Sequence, residues 1–550
     1  MTMTGPSPAV PVTTTVPRPS AVDGCFLSYE RDEPGFRPYV GAVLEVTGSC
    51  PGPDPVRAQI AERVARMPSL ACRVGLRDGR TVWELDPGFD PRRHVHEVRV
   101  DEGPASLDRA VDALLGEPID AGAPRWGVWL LHGHSPDRYA LFYRAHHAAQ
   151  DGQAVLDALT ALFGVGPAVP PRTPVAEAPG GRGTGGFNPL ARVRNIPARA
   201  VARNAADTVR GLRSTLTWTP HHPLTGRTRL LSAAVPASWP RDVAGALGAT
   251  PNDVCLAALA EAVREWVPAE WQARPGRGRE LHVALPVSLR PPEERFAVGN
   301  RVSAVRVPLS YWAASPTDRV VAVARATRRV RTEGMRRVLR AQLECLPEWL
   351  VYRFVRQSCA ASSAVDTSGL LRVPRRLALG ADPVEGVVPT LFLHGDHHFA
   401  VSFLSYQGRV RVSFTVDRAL DDAGDLAALW AGAVERLWRE VTVGPRGPHD
   451  PVSPAGPVSP AGPVSPAGPV SPAGPVSPAG PVSPAGPVSP AGPISPAGPI
   501  SPAGPISPAG PAGPADRSSH ESREIRESHV EHAHHVEHRG THASRPGENS

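Results

Sequence analysis

His146-His147-Ala148-Ala149-Gln150-Asp151-Gly152 reads HHxxxDG, and its flanks decide how the chain is read. Before it, Arg138-Tyr139-Ala140-Leu141-Phe142-Tyr143-Arg144-Ala145 is short, aromatic and apolar, as a buried strand is. After it, Val155, Leu156, Leu159, Leu162 and Phe163 fall on helical spacing. The histidines therefore stand where a strand ends and a helix is about to begin, with Asp151 and Gly152 in the turn. A neutral imidazole held there takes up a proton near pH 7, its ordinary pKa being about 6.5. His221-His222 and His397-His398 are also adjacent pairs. Neither is followed by Asp-Gly and a helix start.

Outward from this stretch, the chain divides by composition. Residues 1–22 are Pro, Thr, Val and Ser without periodicity, expected as a disordered arm. Residues 23–165 form a first α/β half that carries the motif. Here we expect a strand at 39–47, a helix over 54–67, strands near 70–77 and 81–85, a helix over 105–115, then the strand 124–131 and the histidine strand. Residues 166–225 are a linker. Its Gly181–Gly186 formally satisfies GxGxxG, but no strand precedes it, so a dinucleotide site is not expected. Its stretch 191–218 has six arginines against one aspartate and reads as a basic helix, a solvated face in preference to a membrane or carrier dock.

Residues 226–446 form a second half. A strand at 229–235 precedes an Ala-rich helix from about 250 to 264, with Asn252 or Asp253 as its N-cap. Strands follow at 281–290 and 298–307, then a long helical region over 315–360. Strands 398–406 and 409–416 are joined through Gln407-Gly408, and a helix over 421–441 ends the body. Residues 447–515 contain the hexad Pro-Val-Ser-Pro-Ala-Gly, later with Ile. Glycine every sixth residue is not collagen, and two prolines per hexad imply an extended spacer. Residues 516–550 are a His-rich tail. There His532, His534, His535 and His538 can capture a metal weakly, although no closed site is expected.

Composition excludes several functions. No lysine occurs in the 550 residues, so Schiff-base chemistry, a pyridoxal-phosphate enzyme and a Walker A loop are ruled out. The six cysteines are scattered with no CxxC pair, so no zinc site follows. The formal net charge is +6 with no nucleic-acid-binding motif, and no nucleic-acid partner is expected. A modest positive excess suits an anionic thioester carrier equally well. With no signal peptide and no run of about 18 apolar residues, a cytoplasmic protein is expected, with any membrane or lipid-droplet contact peripheral.

Four stretches in order carry a resemblance. Pro124–Gly152, Asn252-Asp-Val-Cys-Leu-Ala-Ala, Leu285–Arg290 with Gly299–Ser303, and Leu404–Val410 through Asp417-Arg418 together resemble the bacterial wax ester synthase/diacylglycerol acyltransferase family. The likeness covers nearly all of 23–441. Condensation domains of peptide synthetases and chloramphenicol acetyltransferase belong to the same superfamily. The resemblance implies two acetyltransferase-like α/β halves, each a mostly antiparallel sheet with helices, and an active site in the cleft between them. It implies that His147 deprotonates an acceptor hydroxyl or amine, which attacks an acyl thioester without an acyl-enzyme. His146 would support it, Gly152 would shape the turn, and Asp151 would be structural, paired to an arginine for which Arg290 is the candidate. Arg290, Asn300, Asn252 and Asp253 would serve as substrate-binding or structural support, with Asn300 expected chiefly to cap or pair its strand.

The resemblance further implies no resident cofactor or metal. Acyl-CoA or an acyl-carrier thioester would be a substrate, and lipid ester synthesis from acyl-CoA the reaction. A stand-alone condensation enzyme fed by an acyl carrier protein is the alternative. A non-catalytic scaffold on the same fold is a third. The sequence departs from the family at Asp366-Thr-Ser-Gly-Leu-Leu-Arg-Val-Pro374, which stands where relatives carry Ser-Asn-Val-Pro-Gly-Pro. That region lies near a substrate entrance in the family, and here it drifts toward the condensation-type members.

Overall fold

A computed structural model describes residues 19–33, 35–166, 224–267, 281–290, 294–361, 364–395 and 397–443, with isolated positions at 198, 201–202 and 206. Of the basic helix expected over 191–218, only residues 198, 201, 202 and 206 are described, and all four are helical. The GxGxxG stretch, the hexapeptide repeat and the His-rich tail lie outside the described residues.

The first half builds a sheet from β1 (Tyr39–Thr47), β4 (Val95–Arg99), β5 (Trp126–His132) and β6 (Arg138–His146). The hairpin β2 (Cys72–Arg77) and β3 (Arg80–Leu85) stands apart. The helices are α1 (Ala21–Asp32), α2 (Pro53–Val64), α3 (Pro104–Gly116) and α4 (Gly152–Phe163). In the second half come β7 (Thr228–Pro236), α5 (Ser238–Ala246), α6 (Pro251–Trp266), β8 (His282–Ser288) and β9 (Val302–Pro308). Then follow α7 (Pro316–Val330), α8 (Glu333–Cys345), α9 (Glu348–Ala361), β10 (Ala364–Arg372), β11 (Ala378–Leu379), β12 (Asp382–Thr390), β13 (Phe399–Tyr406), β14 (Arg409–Asp417) and α10 (Leu426–Val443).

The strands form two six-stranded sheets, β11-β12-β1-β6-β5-β4 and β7-β14-β13-β10-β8-β9. In the first, only the β4–β5 pair is parallel. In the second, β10 runs parallel to both neighbours and the other pairs are antiparallel. The mixed α/β class with mostly antiparallel sheets is therefore as expected. The boundary at 226 divides the chain but not the sheets. β12 leaves the second half of the sequence and pairs with β1 from Gly41↔Thr390 to Val46↔Val384. Two cores result. One packs β1, β5 and β6 on α2 and α4 through Leu141, Tyr143, Leu159 and Phe163. The other packs β13 and β14 on α6 and α10 through Phe403, Phe414, Leu256 and Trp430. A continuous apolar strand such as β6, buried on both faces, is what two-sided packing demands.

Several expectations are corrected. Ala21 and Val22, expected in the arm over 1–22, are helical instead: the Ser20 hydroxyl caps α1 while Asp23 reaches back to the Ser20 backbone, a reciprocal capping box. Thr250, not Asn252 or Asp253, caps α6. It has the β-region backbone an N-cap needs, with Asp253 as its capping-box partner three residues on. Gly152 is the first residue of α4 and not part of a turn, because Asp151 is itself the N-cap. The helical region 315–360 is three helices. It breaks at Arg331-Thr332 and at Leu346-Pro347, where proline removes a donor.

Candidate active site

β6 ends at His146 and α4 begins at Gly152, so the intervening residues make a tight turn between a buried strand and a buried helix. His147 N–H donates to Pro38 O at 2.7 Å, and the Ala149 and Gln150 amides both donate to His146 O. Asp151 Oδ1 accepts the Ala154 N–H at 2.9 Å as the helix cap. Its Oδ2 reaches across to the other half, accepting from Arg290 Nη2 at 2.8 Å and from the Arg301 amide at 3.0 Å. Arg290 also donates to the carbonyls of Glu294, Ala297 and Gly299. Burial works against the Asp151 charge, but Arg290 and the amides outweigh it and hold the carboxyl below its ordinary range. Gln150 bridges to Gly299, whose N–H donates to Ala149 O at 2.8 Å. The two halves are thus stitched together on either side of the histidines.

The two imidazoles have different surroundings. His146 is fully buried. Its Nδ1 accepts the Ala148 N–H at 3.0 Å, which places the ring proton on Nε2, 3.2 Å from Glu30 Oε2. Burial holds its pKa down, and burial opposes the Glu30 charge as well. His146 and Arg125 nonetheless bring Glu30 to about 2. Glu30 also accepts from Arg125 at 2.6 Å and from the Tyr39 hydroxyl at 2.8 Å. His146 is a structural post under the turn.

His147 is only partly buried, so solvent reaches it. Phe26 of α1 stacks on it at 4.7 Å, and Phe392 meets it edge-on at 5.4 Å. Burial lowers its pKa to about 4, against the pull of its own carbonyl, Asp151 and Asp366. Asn300 Nδ2 lies 2.8 Å from its Nδ1. Asn300 Oδ1 takes the Val302 N–H at 2.9 Å at the start of β9, and Asp23 of α1 accepts the Asn300 N–H at 2.7 Å. With Nδ1 occupied, Nε2 is the edge left for a substrate. Such a ring, neutral at pH 7 and set between aromatic faces, can exchange a proton with an apolar molecule's polar end.

The structure brings His146, His147, Asp151, Gly152, Arg290 and Asn300 together. Asn252 and Asp253 stand apart from the imidazoles. Asn252 Oδ1 accepts the Leu370 N–H at 2.7 Å, where β10 breaks register, and Asp253 Oδ1 accepts from the Thr327 hydroxyl at 2.6 Å. The His532–His538 cluster lies outside the described residues. Among the described residues, no group of three or more His, Cys, Asp and Glu could hold a metal ion. No single helix among them is long and apolar enough to cross a membrane.

Sequence reading missed α1 and the loop 391–398. Asp23, Phe26 and Glu30 all contact the motif or Asn300. The signal for α1 was present as Ser20-x-x-Asp23, a capping-box pattern. Phe392, His394 and His397, with Asp366 opposite, carried no local signal.

The model of the wax ester synthase/diacylglycerol acyltransferase catalytic domain matches residues 20–255, and that of the family's C-terminal domain matches 298–437. Proteins of Mycobacterium bovis and Mycobacterium tuberculosis named as diacylglycerol O-acyltransferases are 27% identical over 448 residues, covering 76% of this chain and 95% of theirs. Among solved structures, the wax ester synthase/diacylglycerol acyltransferase of Marinobacter aquaeolei VT8 is similar with a TM-score of 0.53 at 20% identity, covering 78% of this chain and all of that one. The first condensation domain of the calcium-dependent antibiotic synthetase shares the fold with a TM-score of 0.51 at 16% identity, covering 78% and 97%. With both domains of the family matched in order along it, the chain belongs to the wax ester synthase/diacylglycerol acyltransferase family and is an acyltransferase.

Proposed function

We propose that the chain moves an acyl group from acyl-CoA to an acceptor hydroxyl, with His147 as the general base, and so makes a lipid ester. The acceptor O–H loses its proton to Nε2, the new C–O bond forms as the acyl C–S bond breaks, and the departing thiolate takes the proton to leave as free CoA. A placed base contributes about 10²–10⁴ in rate. Juxtaposing the two substrates supplies much of the remainder. The thioester is a substrate, and the reading needs no resident cofactor. A cytoplasmic location, at or near a lipid surface where both substrates collect, belongs to the same reading.

The observation that carries this is the asymmetry of the pair. His146 is sealed, its Nδ1 hydrogen-bonded and its Nε2 facing Glu30 at 3.2 Å, whereas His147 is partly open, held at its Nδ1 edge. Asn300 as it stands favours a ring protonated at Nε2. Proton abstraction there needs the other tautomer, with Nδ1–H on an acceptor. Half a turn of the Asn300 amide provides one, at the cost of its bond to Val302.

The test is free-thiol release by the purified full chain with palmitoyl-CoA and hexadecanol or diacylglycerol, with the product identified by mass spectrometry. Release of CoA with formation of the ester is expected. Turnover only from a loaded carrier protein would replace this reading with condensation chemistry. No turnover, with His147→Ala silent in every assay, would leave a scaffold.

A further inference from the structure

The loop Leu391–His398 crosses from β12 in one sheet to β13 in the other, and it brings two more imidazoles beside His147. Phe392 is the shared wall. His147 packs on it at 5.4 Å and His394 at 5.9 Å, both edge-on. His394 also meets Tyr29 and Phe36 at 5.7 and 5.8 Å and His397 at 6.5 Å. It is only 7% exposed, yet its Nε2 is buried with no hydrogen-bond partner. A buried polar atom left unsatisfied costs roughly a hydrogen bond's desolvation, so each one calls for a partner, whether a water or a ligand group.

Across from it, Asp366 lies on β10 between Val365 and Thr367, which are both buried. By strand alternation it presents the opposite face. It pairs with His397 Nδ1 at 2.8 Å. Asp366 opens the nonapeptide that departs from the family pattern, so the departure and the extra histidines meet at one place.

Resting on the acyl-transfer reading above, we propose that His394, with the Asp366–His397 pair beside it, binds a second hydroxyl on the acceptor and so selects diol-type acceptors over simple long-chain alcohols. Three features favour a neutral hydroxyl. Burial lowers the His394 pKa to about 4, so the ring is uncharged at pH 7 and offers no cation to a carboxylate or phosphate. The Asp366 carboxylate repels an anionic acceptor. The surrounding Tyr29, Phe36 and Phe392 suit an alkyl body with polar groups at one end. The nucleophilic oxygen at His147 and the second hydroxyl at His394 would then straddle Phe392.

The experiment uses the full chain with palmitoyl-CoA and acceptors matched in length, 1-hexadecanol against 1,2- and 1,3-hexadecanediol. A diol should be favoured in kcat/KM by roughly three- to tenfold, the worth of one neutral hydrogen bond. In His394→Phe, which keeps a ring in place, that ratio should fall toward one, mainly through KM for the diol. His394→Gln should restore part of it, and thermal melting of each variant checks folding. Equal kcat/KM for diols and mono-ol in the unaltered chain overturns the proposal, whatever the variants do. A preference that survives in a folded His394→Phe overturns it too, as does a rise in KM for palmitoyl-CoA alone, which would place the group on the donor side. Absence of CoA release with every acceptor refutes the acyl-transfer reading itself, a result distinct from release without discrimination.

Discussion

Asn300 Nδ2 stands 2.8 Å from His147 Nδ1, a contact between residues 153 apart that belong to different halves. The His147 ring is therefore oriented by the half it is not built on. Asn300→Ala keeps the backbone bond to Asp23 but frees the Nδ1 edge. Losing one such bond is worth about 0.5–1.5 kcal/mol, or roughly two- to tenfold. That loss should fall on kcat with KM little changed, in steady-state kinetics with acyl-CoA. His147→Ala should cost far more, about 10²–10⁴ in kcat, with the melting temperature near that of the unaltered chain.

Asp151 behaves differently. It is buried, and its partner Arg290 is nearly so. Removing one member of a buried pair leaves the other charge uncompensated, at a cost of about 3–5 kcal/mol. Asp151→Ala should therefore lower soluble yield and the urea midpoint before any kinetic effect can be read. Asp151→Asn, which keeps an acceptor for Ala154 N–H but not the charge, should show the same loss in milder form.

The pH dependence follows from direction. His147 titrates near 4 in the folded chain, against about 6.5 when exposed. As the proposed base it works only when neutral, so kcat/KM should hold level from pH 7 down to about 5 and fall through 4. An acid limb centred at 6.5 would contradict the desolvation of the ring by its aromatic neighbours. Stability follows the same sign. A pKa depressed on folding means the unfolded chain binds more protons, so stability is full above 6.5 and is lost as pH falls toward 4. Glu30, depressed from 4.5 to about 2, extends the loss from 4.5 downward. Urea midpoints between pH 8 and 3 measure both.

Most of the site was legible because its residues sit on strong local signals. A two-sided apolar strand, an Asp N-cap and an amphipathic helix frame His147, and each is written within a few residues of it. What was not legible depends on contacts between distant segments. α1 reads poorly as a helix because Gly24 interrupts it, and the helix is placed by contacts with α9 far along the chain, where the Glu348 carboxyl comes up against Gly24. β12 contains Gly386, Pro383 and Pro389, which argue against a central strand, and only its pairing to β1 overrides them. Asp366 and His397 lie 31 residues apart on elements that no pattern joins.

Gly299 tests whether α1 and the second half jointly hold the His147 ring. Its φ of +99° lies where side chains are rarely tolerated, and a Cβ would stand 2.8 Å from Asp23 Oδ2. Backbone strain of this kind costs on the order of 1–3 kcal/mol. The push falls on Asp23, which accepts the Asn300 N–H and sits one turn before Phe26, the residue stacked on His147. Gly299→Ala should therefore lower kcat more than Asn300→Ala does, because it disturbs Asn300, Phe26 and the Gly299–Ala149 bond together. Its melting temperature should also drop. If kcat and melting both stayed at the level of the unaltered chain, α1 could not be the element that seats the imidazole.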